Sequence, residues 1–506
     1  MRALLPPAAA LLALAAPAAA ASAQAAAPTA APAAAASADS VPAWRRTRPA
    51  LGPAPELRLP PAAERRLPNG MRLVVVAQRE LPLADVALVL PAGSEADPAG
   101  REGLATLTAA LLDEGTSTRT SLQIADQTSF LGVQLGTSAG WDQTQVTLHA
   151  PVAQLDSALA LMADVVVRPS FPVREFERVR RERLTGLVQV RDRGPAIAER
   201  AFAQALYGTA HPYGRPGGGT EASTRAVTRA DVQRFYAEHY RPNAATLVVV
   251  GDVDADDVAR RVERAFAGWS PAQVPAPVTP PAVGARPTAV TLVDKPGAPQ
   301  SSVRIGLPGV ARSTPDYFPL LVLNTVLGGS FTSRLNQNLR EARGYTYGAG
   351  SRFAMRRGAG PFLASAEVTG AKTDSALVEF MKELRAIADT VPAAELEKAK
   401  QYLVLQMPGE FETTGDIAGQ LLPVVTYGLP LDYYNGYARS VRAVTQADVQ
   451  RVARRYVDPA RLAVVVVGDQ KTVEPTLRAL NLGPVTVRRV EDVLGSAAPA
   501  GAAGGG

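Results

Sequence analysis

The sequence predicts an α+β fold made of two copies of one unit, and three observations carry that prediction. First, "VTRADVQRFYAEHYRPNAATLVVVGD" (227–252) and "VTQADVQRVARRYVDPARLAVVVVGD" (444–469) align without a gap at an offset of 217, with 13 identities in 26 positions. The same offset lays "LVVVAQRELPLADVALVLP" (73–91) over "VTLVDKPGAPQSSVRIGLP" (290–308), so that Val86 meets Val303 and Pro91 meets Pro308. Likeness at one fixed spacing in two separate stretches marks a tandem duplication of a unit of about two hundred residues. Second, "PAQVPAPVTPPAVGARP" at 271–287 is a semi-extended proline-rich linker between halves of similar length. Third, strands and helices mix within each half without strict alternation, which favours mainly antiparallel sheets flanked by helices over a doubly wound parallel sheet.

Each element follows from its local pattern. Both units open with a β-branched run and a second, alternating strand. Helical segments follow at 103–114 and 316–327, and a long charged helix is expected near 174–192. In "GLATLTAALLDEGT" (103–116) Leu104, Leu107 and Leu111 recur at helical spacing, and Gly115 stands where a C-terminal cap is expected. Each unit closes with a helix led by Thr228 or Thr445 as N-cap, an acid three residues on, and then a buried strand, "TLVVVGD" or "LAVVVVGD".

The ends differ from the body. "MRALLPPAAALLALAAPAAAASAQ" has one Arg, an apolar stretch and a small-residue cleavage pattern at Ala21-Ser22-Ala23, so residues 1–23 are expected to be a signal peptide. A signal anchor is the competing reading, but the apolar core is short and broken by prolines, and no later run is long enough to span a bilayer. Export is the expectation, with a periplasm the best-fitting compartment. Segments 24–55 and 495–506 hold few large apolar side chains and are expected to be disordered, with 488–506 as a flexible tail, which leaves ordered units at 56–270 and 288–487. With no cysteine, an exported chain must be stabilised by ordinary cores. The net charge of +6 is spread over 53 basic and 47 acidic residues, without the basic stripe that nucleic acid would require.

Two further stretches, "HPYGRPGGGT" (211–220) and "GGSFTSRLNQNLREARGYTYG" (328–348), complete a resemblance. With the tandem α+β units, the chain resembles the insulinase and pitrilysin family of zinc peptidases over nearly all of residues 57–485. The likeness is to the two-chain bacterial branch related to mitochondrial processing peptidase. That resemblance implies a clam-like chamber when two chains pair. In active members the helix corresponding to 103–116 bears an inverted zinc motif, H-x-x-E-H. Residues four apart share one helix face and can grip one metal, and the residue before the second histidine can reach a metal-bound water. Here the two histidine positions fall on Thr106 and Ala110, and the glutamate position on Ala109. The third ligand, 77 residues beyond the second histidine, falls on Leu187. Glu182, five residues before it, stands about 140° around a helix and cannot simply take over.

A count of ligand types agrees. The three histidines, His149, His211 and His239, are too far apart in sequence to share a helix face, and there is no cysteine. No metal is therefore expected in this chain, and the resemblance places zinc in a partner. His211 reads either as part of a substrate loop or as a residue of a proline-fixed turn, with the turn favoured. Gly217-Gly218-Gly219 reads as a flexible turn before the next helix, since no Lys-Ser/Thr pair follows as a phosphate loop would need.

The second unit keeps what the first lacks. "LREARGYTYG" carries Arg340 and, seven residues later, Tyr347. In zinc-bearing relatives the resemblance makes the corresponding pair donors to the substrate carbonyl, and a guanidinium and a phenol suit an oxyanion. The plainer alternative is a surface cation beside Glu341 and a tyrosine filling a strand face. Arg334 and Gly344 read as scaffold, an ion pair and a turn. The chain is thus expected to be the non-metal subunit of a two-chain metalloendopeptidase, pairing with a zinc-bearing insulinase-family chain to act on peptides. It is expected neither to insert stably in a membrane nor to bind nucleic acid. A peptide-binding or scaffold protein of the same fold is the alternative.

Overall fold

Two valine-rich strands, buried on both faces, lie inside two six-stranded sheets in the computed structural model, which describes residues 59–496 together with Pro42. The expected signal peptide, the 24–55 segment except Pro42, and residues 497–506 lie outside the described residues. The first sheet contains β1 (Ala62–Arg66), β2 (Arg72–Ala77), β3 (Leu83–Leu90), β4 (Gln134–Ala139), β5 (Thr144–Pro151) and β6 (Thr246–Gly251), in the order β1-β2-β6-β3-β5-β4. The second contains β7 (Ala289–Asp294), β8 (Gln300–Pro308), β9 (Thr346–Phe353), β10 (Pro361–Thr369), β11 (Ala463–Gly468) and β12 (Val485–Arg489), in the order β12-β7-β11-β8-β10-β9. Neighbours are antiparallel except β2 with β6, β7 with β11 and β12 with β7. Val86 faces Val249 in the first sheet and Val303 faces Val466 in the second, so the 217-residue offset is a repeat of strand register. The α+β tandem fold is as the sequence predicts.

Helix ends follow their caps. Thr228 and Thr445 form reciprocal capping boxes with Asp231 and Asp448. The helices expected near 174–192 and 316–327 span Val173–Val190 and Tyr317–Leu327. The one expected over 103–114 is shorter, Leu104–Ala110, and Gly115 is not its cap. The backbone N–H groups of Leu111 and Leu112 reach back only three residues, to Thr108 and Ala109, so the last turn tightens and both leucines enter the core. Gly115 instead pairs with Thr120 in an isolated bridge.

A second correction concerns the tail, which does not begin at 488. Val485–Arg489 is strand β12 and Val490–Leu494 is a helix, with Val493 buried. Gln204 fixes them, donating to the Val493 carbonyl at 3.0 Å and accepting from Arg488 at 3.0 Å. Residues 271–286 carry no helix or strand.

The halves cover each other by exchanging helices. Helix Gly194–Tyr207 of the first half packs on β8 and β11 of the second sheet, burying Ile197, Ala201, Phe202 and Leu206 against Val293, Leu363, Val465 and Val467. Helix Thr414–Thr426 of the second half packs on β3 and β6 of the first sheet. Its Thr414 hydroxyl donates to Asp85 Oδ2 at 2.6 Å, and the other oxygen of Asp85 lies 3.0 Å from His149 Nδ1. The approach of the first helix is close enough to require glycine: a Cβ on Gly306 of β8 would lie 2.9 Å from the Phe202 ring and 1.9 Å from the Phe362 carbonyl oxygen. Among the described residues no helix is long and apolar enough to cross a membrane.

Because each half supplies a wall of the other, urea should unfold the body in one transition. Phe202→Ala should lower its stability by about 3–5 kcal/mol, and Gly306→Ala should also destabilise it. Two separated transitions, or an unaffected midpoint in either variant, would contradict the exchanged packing.

Candidate functional site

The helix at the former metal position is held by groups the sequence pattern did not reveal. Its N-cap, Gly103, takes φ +90 and has no side chain to cap with. Asp97 does the capping from outside, accepting from the N–H of Gly103 at 2.6 Å and of Ala105 at 2.8 Å. Burial pushes the Asp97 carboxyl up to about 7 against those two bonds. Glu95 behaves alike: burial drives it to about 8, over a hydrogen bond from the Gly93 N–H at 3.1 Å, and its Oε1 has no hydrogen-bond partner.

The erased ligand positions fasten a loop. Thr106, at the first histidine position, donates its hydroxyl to the Gly217 carbonyl at 2.8 Å. Ala109 is buried, Ala110 is half-buried, and Leu187 helps to line a cavity beside residues 215–221. Arg183, one helical turn before Leu187, reaches the Gly218 carbonyl at 3.3 Å. The triple-glycine turn is tied through two of its carbonyls, with Gly217 and Gly219 closely approached and Gly218 exposed. Gly219 takes φ +82, and a Cβ there would lie 2.5 Å from the Glu102 carbonyl oxygen.

Zinc does not fit these residues. A threonine, two alanines and a leucine offer at most one weak neutral oxygen, and that oxygen is already engaged. Among the described residues no group of three or more His, Cys, Asp or Glu could hold a metal ion. Glu182 is exposed and pairs with Arg178 at 2.8 Å. The histidines are occupied elsewhere. His211 accepts from the Tyr213 N–H at 3.0 Å through Nδ1, and its Nε2 lies 2.9 Å from the Pro281 carbonyl, which ties the turn to the linker. His239 packs on Phe235, and burial lowers its pKa.

Arg340 and Tyr347 lie on successive elements of one exposed structure. A helical turn, Arg334–Asn336, widens into a π-helix over Gln337–Ala342, in which the Arg343 N–H reaches back five residues to Asn338. Gly344 then turns at φ +65 into β9, the sheet edge. Three scaffold side chains are engaged: Arg334 bonds Glu395 at 2.7 Å, Asn338 bonds Glu379 and Glu383, and Asn336 accepts from the Ala349 N–H. Arg340 lies over the Phe331 ring at 4.4 Å with only a loose 3.5 Å approach to Glu341. Tyr347 is 92% exposed and does not fill a strand face.

Comparison with known proteins follows this division. Residues 73–215 match the family model described as insulinase (peptidase family M16), and residues 226–403 match the peptidase M16 inactive domain. The chain belongs to the insulinase family, peptidase family M16. An uncharacterized zinc protease of Mycobacterium leprae is 32% identical over 56% of this chain and 63% of its own length, so the chain spans less than two thirds of that curated relative. A probable mitochondrial-processing peptidase subunit beta of Arabidopsis thaliana is 24% identical over 82% of this chain and 79% of its own. A crystal structure of a peptidase M16 inactive domain from Pseudomonas fluorescens superposes with a TM-score of 0.75 at 27% identity, covering 81% of this chain and 98% of that one.

The two raised carboxyls give a test. Unfolded Glu and Asp titrate near 4.3 and 3.9, so both hold protons more tightly in the fold. The stability they confer is complete below about pH 4 and lost as the pH rises through about 7–8. Glu95→Gln should therefore leave the urea midpoint unchanged near pH 4 and raise it relative to the parent at pH 8. Parallel pH profiles would refute the assignment.

Proposed function

We propose that this chain is the non-metal subunit of a heteromeric metalloendopeptidase. A zinc-bearing insulinase-family chain would pair with it around a chamber for peptides, and Arg340 and Tyr347 would contact the carbonyl of the bond to be cut. The observation that carries this reading is the 92% exposure of Tyr347, just after a helical segment whose Arg334, Asn336 and Asn338 are structurally engaged. A large aromatic with an open hydroxyl, seven residues after a guanidinium held by a ring and a loose 3.5 Å pair with Glu341, is free to meet a ligand.

The conversion of all three ligand positions and of the glutamate position supports the division of labour: Thr106 holds a loop, and Ala109, Ala110 and Leu187 bring no donor. Zinc would belong to the partner, whose metal would polarise the carbonyl while Arg340 and Tyr347 donate to the developing oxyanion. The plant relative's name, a subunit of a processing peptidase, is in keeping with pairing. The complex would act outside the cytoplasm, in a periplasm by preference, as the N-terminal sequence suggests.

The deciding experiment is purification of the tagged mature chain from its native host, with mass spectrometry of what accompanies it and zinc counted per complex. A stoichiometric second chain bearing H-x-x-E-H is expected. In that complex Arg340→Ala should slow peptide hydrolysis by about 10²–10³-fold with zinc content and assembly unchanged, and Tyr347→Phe should also slow it. Full activity in Arg340→Ala would refute the role, and hydrolysis by the isolated metal-free chain would refute the pairing. Recovery of the chain alone, without zinc, would turn the reading to a binding or scaffold protein.

A further inference from the structure

Beside the former metal position lies a cavity of about 380 Å³, walled by both halves and closed at one side by Leu494 of the C-terminal helix. Its volume is at the low end of the roughly 300–1,000 Å³ typical of small-ligand sites. Leu187, Phe202 and Trp141 make its walls apolar, and three arginines line it, of which Arg215 donates to the Ala210 carbonyl at 2.7 Å, leaving the two guanidiniums of Arg200 and Arg356. Among the described residues neither guanidinium donates a hydrogen bond, and neither lies within ion-pair distance of a carboxylate. Arg200 Nε and Arg356 Nη1 are buried without any partner. Leaving such donors unpaired is costly and uncommon in a folded protein.

The acids around the cavity do not answer these cations. Glu199 is shared by Arg352 at 3.2 Å and Arg304 at 3.7 Å, and Glu221 is held by Arg191 at 2.9 Å. Arg356 stacks its face on Trp141 at 3.9 Å and Tyr213 at 4.5 Å. Stacking occupies the face of a guanidinium and leaves its in-plane N–H donors available. Burial lowers the pKa of both groups, to about 10 for Arg200, which is the sign of desolvated charge with too little compensation.

We propose that this cavity binds the carboxylate end of an apolar ligand, namely the C-terminal residue of a peptide with an aromatic or aliphatic last side chain. Planar guanidiniums match a carboxylate, the apolar walls take the side chain, and the volume suits one or two residues. The inference is independent of Arg340, Tyr347 and any zinc-bearing partner, so its failure would leave the proposed subunit role standing, and the reverse.

The test uses the full mature chain, titrated calorimetrically and by tryptophan fluorescence, since Trp141 lines the cavity. The probes are N-acetyl-alanyl-phenylalanine, its C-terminal amide, and 3-phenylpropionate. The peptide acid should bind at least tenfold more tightly than its amide, and Arg200→Gln or Arg356→Gln should weaken it by at least tenfold. Arg356 packs on two rings, so its variant could misfold. Arg200→Gln, which removes no hydrogen bond to a described residue, then carries the test. Stronger binding of the peptide acid than of 3-phenylpropionate supports a peptide terminus. Equal or stronger binding of the free acid overturns that assignment. Equal binding of the amide, no saturation by any acid in the millimolar range, or unchanged affinity in a folded Arg200→Gln would overturn the site itself.

Discussion

The mutual covering of the two halves by exchanged helices is the constraint on which the rest of the molecule depends. A six-stranded sheet with an interior valine strand must bury both faces. The first unit's own helices cover one face of its sheet, and the other is left to a helix from the second unit. The second sheet is completed by Gly194–Tyr207 in the same way. The linker at 271–286 therefore does not separate two independent bodies. Polar joints follow the same seam: Asp142, buried, accepts from the Tyr427 hydroxyl at 2.9 Å and the Arg357 N–H at 2.9 Å, while the Tyr213 hydroxyl accepts from the Gly358 N–H.

That seam also decides what becomes of a helix that has lost its ligands. With two histidines and a glutamate, the inner face of Leu104–Ala110 would have to stay open to solvent and substrate. Thr106 and the alanines allow the glycine turn to lie directly on it, and Arg183 fastens the same turn from the neighbouring helix. A face freed from metal chemistry becomes a packing surface, and retention of the helix is explained by the core it completes, since Leu104, Leu107 and Leu111 are all buried. Restoring the two histidines and the glutamate on this helix would set three side chains against a loop held by its backbone carbonyls.

The duplicated architecture was legible because register repeats: a 217-residue offset that preserves alternation also preserves which valine faces which. Thr228 and Thr445 were legible for the same reason, since a capping box is written within four residues. Asp97, Glu95, Asp142, Arg183, Arg200 and Arg356 were not. Their burial, or their partners, come from residues distant in sequence or across the seam, and nothing in a window around "SEAD" or "MRRG" distinguishes a buried acid or guanidinium from a solvated one. The helix Val490–Leu494 was missed because its anchor, Gln204, belongs to the other half. Gly115 misled because a glycine after a periodic run looks like a cap even where buried leucines have already tightened the turn.

Two opposite kinds of residue now stand out, and both follow from the same accounting of partners. Tyr347 is a large aromatic that contributes little to packing, near the start of the edge strand β9. Arg200 and Arg356 are charges with buried donors lacking partners, beside acids that are already paired. Folding alone accounts for neither, because exposing an aromatic and burying an unpaired charge each cost stability. The first sits on an outer sheet edge and the second in the seam between halves, so they are separate features of the fold. Under the proposed reading, both kinds of residue would serve the holding of peptide, one at the sheet edge and one in the seam, while water would be activated in the partner chain.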